Sequence, residues 1–292
     1  MENKMRTIEK ILTPPAPHMV GNGFRVHNFF PHGDITQKRI SPFLMLDYNS
    51  KVEFPPSEIP RGVGVHPHKG FETVTIAYQG RVEHHDSGGN SGVITERGVQ
   101  WMTAGSGVLH KEYHEKEFSK KGGLFQMVQL WVNLPKISKL TPPKYQDIPE
   151  EKMSKVQINA HSHADVIAGE LNGVKGSATT FSPVNLFNLY LSKDTVYRFA
   201  IPKEHNTALL VVEGSINMQD AENIPTDNFI LMRNDGTEIE LKATEDAIVL
   251  VMSGEPINEP IASYGPFVMN TTAELYEAID EMNAGKFGTL ED

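Results

Sequence analysis

The sequence contains no cysteine. This absence excludes disulfide bonds, thiolate metal sites and cysteine nucleophiles, and it leaves histidine and carboxylate side chains as the strong metal ligands. The sequence also lacks any apolar run near the roughly 20 residues that a membrane-spanning helix needs. Residues 1–17 mix charges with prolines and lack the apolar stretch of a secretory signal peptide. We therefore expect a cytoplasmic protein that does not enter a membrane.

Positive charge is scarce as well. The chain has 27 Lys and Arg against 37 Asp and Glu, which gives a formal net charge of −10. Direct binding to nucleic acid needs a basic surface, so this balance predicts no nucleic-acid partner. Lys120-Lys121 is a pair rather than the basic run of a nuclear import signal. We find no sequence signal for oligomerisation and expect a monomer.

Among the 12 histidines, three belong to a pattern that suits a metal ion. His66-Pro67-His68 and His110-Lys111-Glu112 lie about forty residues apart. On a strand, residues i and i+2 point to the same face, so each motif presents two ligands together. Two adjacent strands would then bring three imidazoles and one carboxylate to one point. This donor set favours Fe(II) and also allows Mn, Co, Ni, Cu or Zn.

The rest of the chain has the pattern of an all-β protein. Short apolar and β-branched runs, separated by Gly, Asn, Asp and Pro, recur about every ten residues, which is typical of barrels and sandwiches. In the first half we predict strands over 73–78, 81–86, 93–96, 99–103, 108–113 and 126–133. In the second half we predict strands over 184–191, 195–201, 208–213, 229–232, 238–241 and 247–252.

Two similar series of strands indicate two domains. Paired prolines at Pro142-Pro143 cannot lie within a central strand, so the stretch between the series reads as a linker. We expect a first domain over residues 1–136, a Pro-rich linker over 137–149 and a second domain over 150–292.

A helix is predicted near residues 271–284. Thr271 and Glu274 form a plausible capping box at its start, and apolar residues recur at helical spacing: Leu275, Ile279 and Met282. We expect this apolar stripe to pack on a barrel rather than to bind a partner protein.

Two long segments of the sequence resemble the pirin family, which belongs to the cupins. They are "HPHKGFETVTIAYQGRVEHHDSGGNSG" and "GVQWMTAGSGVLHKE", and "GPFVMNT" and "GKFG" near the C-terminus are also similar. The likeness covers almost the whole chain and is densest over residues 62–135. It implies an all-β bicupin, with two cupin-type β-barrels and a C-terminal helix, and one metal ion, usually iron, in the N-terminal barrel.

The resemblance also implies which residues bind the metal. Three histidines and a glutamate do so in pirins, at positions that match His66, His68, His110 and Glu112. Many other cupins instead use a glutamate of the first motif, where Glu72 stands here. The sequence alone does not choose between the two glutamates; the resemblance favours Glu112. It also implies a C-terminal barrel without metal.

Several pirins are quercetin 2,3-dioxygenases, which open the central ring of a flavonol with O₂ and release carbon monoxide. The resemblance therefore implies a small aromatic, flavonol-like substrate together with O₂. A carboxylate that the metal holds weakly could detach and remove a phenolic proton from a flavonol, so Glu112 is also the candidate catalytic base. Animal pirins serve as iron-dependent transcription co-regulators. The alternative is thus a non-enzymatic regulatory protein that binds protein partners.

Other histidines are interpreted more simply. His84 and His85 are neighbours and point to opposite faces of a strand, so one of them could line a barrel. His114 precedes a charged run and is expected at the surface. His161 and His163 repeat the His-x-His spacing in a polar stretch, where we expect a surface loop.

Overall fold

The computed structural model describes residues 4–31 and 35–291. Eleven strands precede residue 134: β1 Ile8–Leu12, β2 His18–Val20, β3 Phe24–Phe30, β4 Phe43–Phe54, β5 Gly62–His68, β6 Phe71–Gln79, β7 Val82–Asp86, β8 Ser91–Ile94, β9 Val99–Thr103, β10 Val108–His114 and β11 Gly123–Asn133. Seven more lead to the middle of the second half: β12 Lys144–Ile148, β13 Ser154–Asn159, β14 Ser162–Ala168, β15 Glu170–Leu171, β16 Val174–Lys175, β17 Val184–Leu191 and β18 Val196–Ala200.

The remaining strands are β19 Asn206–Glu213, β20 Ser215–Met218, β21 Ala221–Pro225, β22 Phe229–Met232, β23 Glu238–Ala243, β24 Ala247–Gly254, β25 Ala262–Tyr264 and β26 Phe267–Met269. The α-helices are α1 Gln37–Ile40, α2 Lys116–Lys121 and α3 Thr272–Asn283, and short 3₁₀ helices cover Lys136–Ser138 and Glu150–Lys152. No helix in the described part of the chain is both long and apolar enough to cross a lipid bilayer.

The described residues form two compact units. Among these residues, the N-terminal barrel comprises 16–31, 43–150 and 257–291, and the C-terminal barrel comprises 4–15, 35–42 and 151–256. The expected division at 1–136, 137–149 and 150–292 instead treats each domain as one continuous stretch.

The difference from that division has a physical cause in strand pairing. Strand β1 pairs with β22, so the start of the chain belongs to the C-terminal barrel. Strand β12 lies within the expected linker, yet it pairs with β9 at the edge of a sheet of the N-terminal barrel. Pro142 and Pro143 precede β12, so they interrupt no strand.

Each barrel combines a seven-stranded and a four-stranded sheet. In the N-terminal barrel the strand orders are β12-β9-β6-β11-β4-β3-β2 and β5-β10-β7-β8. In the C-terminal barrel they are β1-β22-β19-β24-β17-β14-β13 and β18-β23-β20-β21. Two closed units of antiparallel strands confirm the predicted all-β bicupin fold.

The two barrels are filled differently. The C-terminal barrel has an apolar interior, to which both sheets contribute buried side chains such as Phe187, Leu209 and Phe199. Each such side chain contributes about 1.5–3 kcal/mol when it leaves water. The N-terminal barrel has an apolar cluster at one end, including Phe125 and Met127. Elsewhere in this barrel polar side chains are buried as well, among them Thr75, His110 and Glu112, and the candidate site lies there.

The predicted C-terminal helix is present as α3. The Thr271 Oγ1 atom accepts a hydrogen bond from the Glu274 backbone N–H at 3.2 Å, and Glu274 Oε2 accepts one from the Thr271 N–H at 2.9 Å. This is the expected capping box. The apolar stripe of α3 packs within the N-terminal barrel, in a cluster that includes Leu275, Phe267 and Phe287.

Candidate metal centre

Three histidines from two paired strands converge inside the N-terminal barrel. Strands β5 and β10 are antiparallel, with His110 directly opposite His66 and Val108 opposite His68. The imidazole centroids of His66, His68 and His110 are 4.2–4.9 Å apart. One ligand nitrogen from each ring lies within 4.8 Å of the other two, which is close enough for one metal ion to bind all three.

The ring nitrogens of these histidines are available as ligands. The Nδ1 atom of His66 lies 2.8 Å from the Gly64 carbonyl oxygen. Because a carbonyl can only accept, Nδ1 of a neutral His66 carries the proton and Nε2 is left with its lone pair. The buried Nε2 atoms of His68 and His110 have no hydrogen-bond partner among the described residues. Unpaired buried nitrogens are costly unless a ligand satisfies them.

The electrostatics of the triad also suit a metal ion. Burial lowers the pKa of His68 and of His110 well below the ordinary value, and the neighbouring imidazoles lower both further. Both rings are therefore neutral, which is the form that coordinates a cation. Nitrogen donors of this kind fit a borderline divalent transition metal. The residues present thus fit the metal that the sequence predicts.

Glu112 lies on the same buried face of β10, two residues after His110. Its carboxylate oxygens do not belong to the 4.8 Å group that the three histidines form. Instead, Oε2 accepts a hydrogen bond of 2.9 Å from Gln129 Nε2, and Oε1 accepts a longer one of 3.5 Å from Thr75 Oγ1. Burial raises the pKa of the Glu112 carboxyl, while His66 and these two donors oppose the rise.

Glu72 points away from Glu112. It lies three residues from Thr75 on β6, and residues an odd number apart on a strand face opposite sides of the sheet. Its Oε1 atom accepts a hydrogen bond of 2.8 Å from Thr103 Oγ1. Burial raises the pKa of Glu72 to about 7. Glu72 is therefore a buried carboxyl on the far face, outside the histidine cluster.

Strand β7 adds two buried polar residues beside the cluster. His84 lies opposite Glu112 and Asp86 lies opposite His110. Both side chains are buried. The sequence left open whether His84 or His85 lines the barrel, and the structure assigns this place to His84. His85 points outward, where its Nε2 lies 2.9 Å from a carboxylate oxygen of Glu83.

Tyr145 closes this side of the interior and was missed by the sequence analysis. Its ring stacks on the His84 imidazole, with centroids 5.2 Å apart and planes inclined by 15°. Its hydroxyl lies 2.9 Å from Met102 Sδ. Burial and nearby carboxylates, Asp86 first among them, raise the pKa of Tyr145. Tyr145 belongs to β12, within the expected linker, so no local signal marked it as an interior residue.

Aromatic rings hold His68 from the other side. The Phe71 and Trp131 rings meet the His68 imidazole edge to face, with centroid distances of 5.1 and 5.2 Å. Such contacts restrict rotation of the imidazole and so fix the direction of its lone pair. Trp131 lies in a strand that the sequence predicts. Its contact with His68 joins two different strands, so the spacing of residues along either strand could not predict it.

The expectation for His114 is wrong. The side chain is fully buried, and its ring lies 4.7 Å from Phe54 and 4.5 Å from Phe125. Its Nε2 lies 2.8 Å from the Gly23 carbonyl oxygen. The charged residues after it belong to α2, which starts only at Lys116, so His114 still takes the inward position of β10.

The second His-x-His motif forms no comparable site. His163 lies on strand β14, where its ring stacks on Tyr190 at 4.9 Å. Within residues 4–31 and 35–291, the triad in the N-terminal barrel is the one group of three or more histidine or carboxylate ligands close enough to share an ion. By sheet order, strands β18 and β23 correspond to β5 and β10. Their buried side chains are Tyr197, Phe199, Ile239, Leu241 and Ala243, none of which supplies an imidazole or a carboxylate.

Two barrels with a buried histidine triad in the first define a bicupin with a candidate metal centre. The family model named Pirin matches residues 23–132, and the model of the Pirin C-terminal cupin domain matches residues 186–288. The chain belongs to the pirin family.

Individual relatives agree with this assignment. A Pseudomonas aeruginosa protein, provisionally named as a quercetin 2,3-dioxygenase, is 44% identical over 92% of this chain and 94% of its own length. A pirin-like protein of Solanum lycopersicum is 35% identical over 86% of this chain and 83% of its own. The crystal structure of quercetin 2,3-dioxygenase from Acinetobacter baumannii covers 99% of this chain and 100% of its own, at 47% identity and a TM-score of 0.93.

Proposed function

We propose that this chain is a metal-dependent quercetin 2,3-dioxygenase that uses Fe(II). The observation that carries the proposal is the convergence of three imidazoles inside the N-terminal barrel, two of which, His68 and His110, have buried Nε2 atoms without a hydrogen-bond partner among the described residues. The A. baumannii relative, named for this activity, supports the substrate class. In the proposed reaction both atoms of O₂ enter the product, two carbon–carbon bonds of the central flavonol ring break, and carbon monoxide leaves with an ester of two aromatic acids.

In this proposal His66, His68 and His110 hold the ion, and Glu112 is the carboxylate that completes the set. When bound, the ion supplies redox chemistry, because it lets electrons pass between a flavonol and O₂ held side by side. His66 is the least buried of the three histidines, so we place the substrate's approach on its side.

We assign Glu112 a second role as the general base. The flavonol must lose its 3-hydroxyl proton to become an electron-rich anion, and a carboxylate in the dry interior can accept that proton. Gln129 and Thr75 donate hydrogen bonds to the Glu112 carboxylate and orient it within the barrel. We assign to this one carboxylate both roles, that of a residue that would hold the ion and that of the base.

The test is an assay of quercetin and O₂ consumption with protein loaded anaerobically with Fe(II). We expect wild type to bleach the flavonol absorbance and to consume one O₂ per quercetin. His68→Ala is expected to lose both the iron and the activity. His163→Ala alters the second His-x-His motif, which lies outside the cluster, and should behave as wild type.

Two results would contradict the proposal. Iron-loaded wild type that leaves quercetin unchanged would exclude the dioxygenase and favour the alternative of a regulatory protein that binds protein partners. A His68→Ala variant that keeps full iron content would exclude the triad as the binding site. The cytoplasmic location and the monomeric state stay predictions.

A further inference from the structure

The metal-binding strand β5 lies at the edge of its sheet, and its last residue is His68. Beyond His68 the backbone is held by the C-terminal segment of the chain. The Lys69 N–H donates to the Pro266 carbonyl at 3.2 Å, and the Val268 N–H donates to the Lys69 carbonyl at 3.0 Å. Residues some 200 positions later in sequence therefore fix the end of the strand that presents two of the three imidazoles.

The side chain of Lys69 extends this connection to helix α3. Its Nζ lies 2.5 Å from Oε2 of Glu281 and 2.9 Å from the Ser106 carbonyl oxygen. The Lys69 side chain is 5% exposed and that of Glu281 is 33% exposed. Ser106 belongs to the turn that leads into β10 and His110. One ammonium thus joins the end of β5, the approach to β10 and the C-terminal helix.

A second buried lysine, Lys139, holds the turn at Gly70, directly after Lys69. Lys139 Nζ donates to the carbonyl oxygens of Gly70 and Val268 at 2.8 and 2.9 Å, and to Asn133 Oδ1 at 2.7 Å. An ammonium has three donors, so all three are used. Because Lys139 holds Gly70 by separate hydrogen bonds, we expect loss of the Lys69–Glu281 ion pair to leave this turn folded and to affect mainly the position of His68.

We propose that the Lys69–Glu281 ion pair is a positioning device for the metal centre: it couples helix α3 to His68 and sets the affinity of the site. The inference rests on the proposed metal binding by the triad. Groups that orient metal ligands without touching the ion typically change metal affinity by about 10–100-fold. Because Lys69 acts through the backbone, we expect the lower end, about tenfold.

The test is a titration of the metal-free full-length protein with Co(II) against a competing chelator, which reports both the Kd and the visible ligand-field spectrum. We expect Glu281→Gln to raise the Kd about tenfold and to shift the Co(II) bands. Glu277→Gln is the control. Glu277 lies on the same helix as Glu281, and both carboxylates line one cavity of about 200 Å³. Because Lys69 makes its ion pair with Glu281, the Glu277→Gln variant should keep the wild-type Kd.

A second pair of variants separates positioning from a loss of stability. Lys69→Met should weaken Co(II) binding as much as Glu281→Gln does, whereas Lys69→Arg retains the positive charge opposite Glu281 and should bind Co(II) more tightly than Lys69→Met. Equal Kd values for Glu281→Gln and Glu277→Gln would overturn the positioning role of the ion pair but would leave the metal centre itself in place. Wild type that binds no Co(II) through the triad would overturn the metal centre and the inference together, whereas metal-binding wild type that is inactive on quercetin would affect only the proposed function.

Discussion

His66 and His110 lie directly opposite each other across β5 and β10, with imidazole centroids 4.2 Å apart. This single register joins two motifs that are far apart in sequence. It also explains why a one-residue slip would destroy the site, since a slip turns every side chain to the other face.

The first prediction concerns His110. Its replacement by alanine leaves two imidazoles, so we expect metal affinity to fall by about 100-fold or more, as for loss of a ligand or its orientation. Elemental analysis after dialysis measures this directly. His85→Ala, on the neighbouring strand but pointing outward beside Glu83, should keep the wild-type metal content. Equal metal loss in both variants would contradict the assignment.

The second prediction concerns the pH dependence that Glu72 imposes on stability. Burial raises its pKa from 4.5 to about 7, so the folded protein binds more protons than the unfolded chain between these values. The contribution of the neutral Glu72 carboxyl to the free energy of unfolding is therefore fully present below pH 4.5, and it is lost as the pH rises through 7 and the carboxyl ionises.

Glu72→Gln stays neutral and can still accept the hydrogen bond from Thr103. We expect it to exceed wild type at pH 8 by about 3 kcal/mol in the free energy of unfolding, and to match it near pH 4.5. Denaturant unfolding of both proteins across this range provides the measurement. A difference that does not change with pH would show that Glu72 titrates normally.

The third prediction concerns Gly70, which follows Lys69 and has a φ of +87°. A Cβ atom there would lie 2.0 Å from the Val268 carbonyl oxygen, so Gly70→Ala must displace the C-terminal segment. Gly265→Ala serves as the control, because Gly265 also has a positive φ but open space around its Cβ position. We expect about 1 kcal/mol of destabilisation for Gly265→Ala and at least about 3 kcal/mol for Gly70→Ala. Equal melting temperatures would argue against a rigid turn.

The fourth prediction concerns Gln129, whose side chain donates to Glu112. This hydrogen bond lowers the pKa of Glu112, so Gln129→Leu should raise it and move the acidic limb of the pH–rate profile to higher pH. Metal content should not change. Gln126→Leu removes a different amide from β11, one that donates to the Tyr48 hydroxyl instead, and should leave the profile in place. An unshifted profile in Gln129→Leu would remove Glu112 as the base.

Local pattern was enough to place many strands. The predicted bounds of β9, β17 and β22 coincide with the observed ones, because apolar runs and turn residues are properties of neighbouring residues. The long strand β4 was missed, since it is buried along most of its length and shows little alternation. Strand β12 was assigned to a linker because prolines precede it.

The features of the candidate site also fall into two groups: those that spacing along one strand predicts and those that depend on contacts between strands. The spacing of His66 and His68 shows that both belong to one face, and the structure brings them to His110 as expected. The burial of His114, the stacking of Tyr145 on His84 and the hydrogen bonds of Glu112 depend on residues from other strands. Alternation along one strand carries no information about which strand lies beside it.

By itself, the sequence determined the all-β class, the C-terminal helix and the histidine motifs, because strand alternation, helix capping and turn chemistry act over a few residues. Only the tertiary structure decided that Glu72 points away from the triad and bonds Thr103, and that α3 contacts the end of the strand of His68. These outcomes follow from strand order and long-range pairing, where the burial of whole segments, and not the local pattern, selects the neighbours.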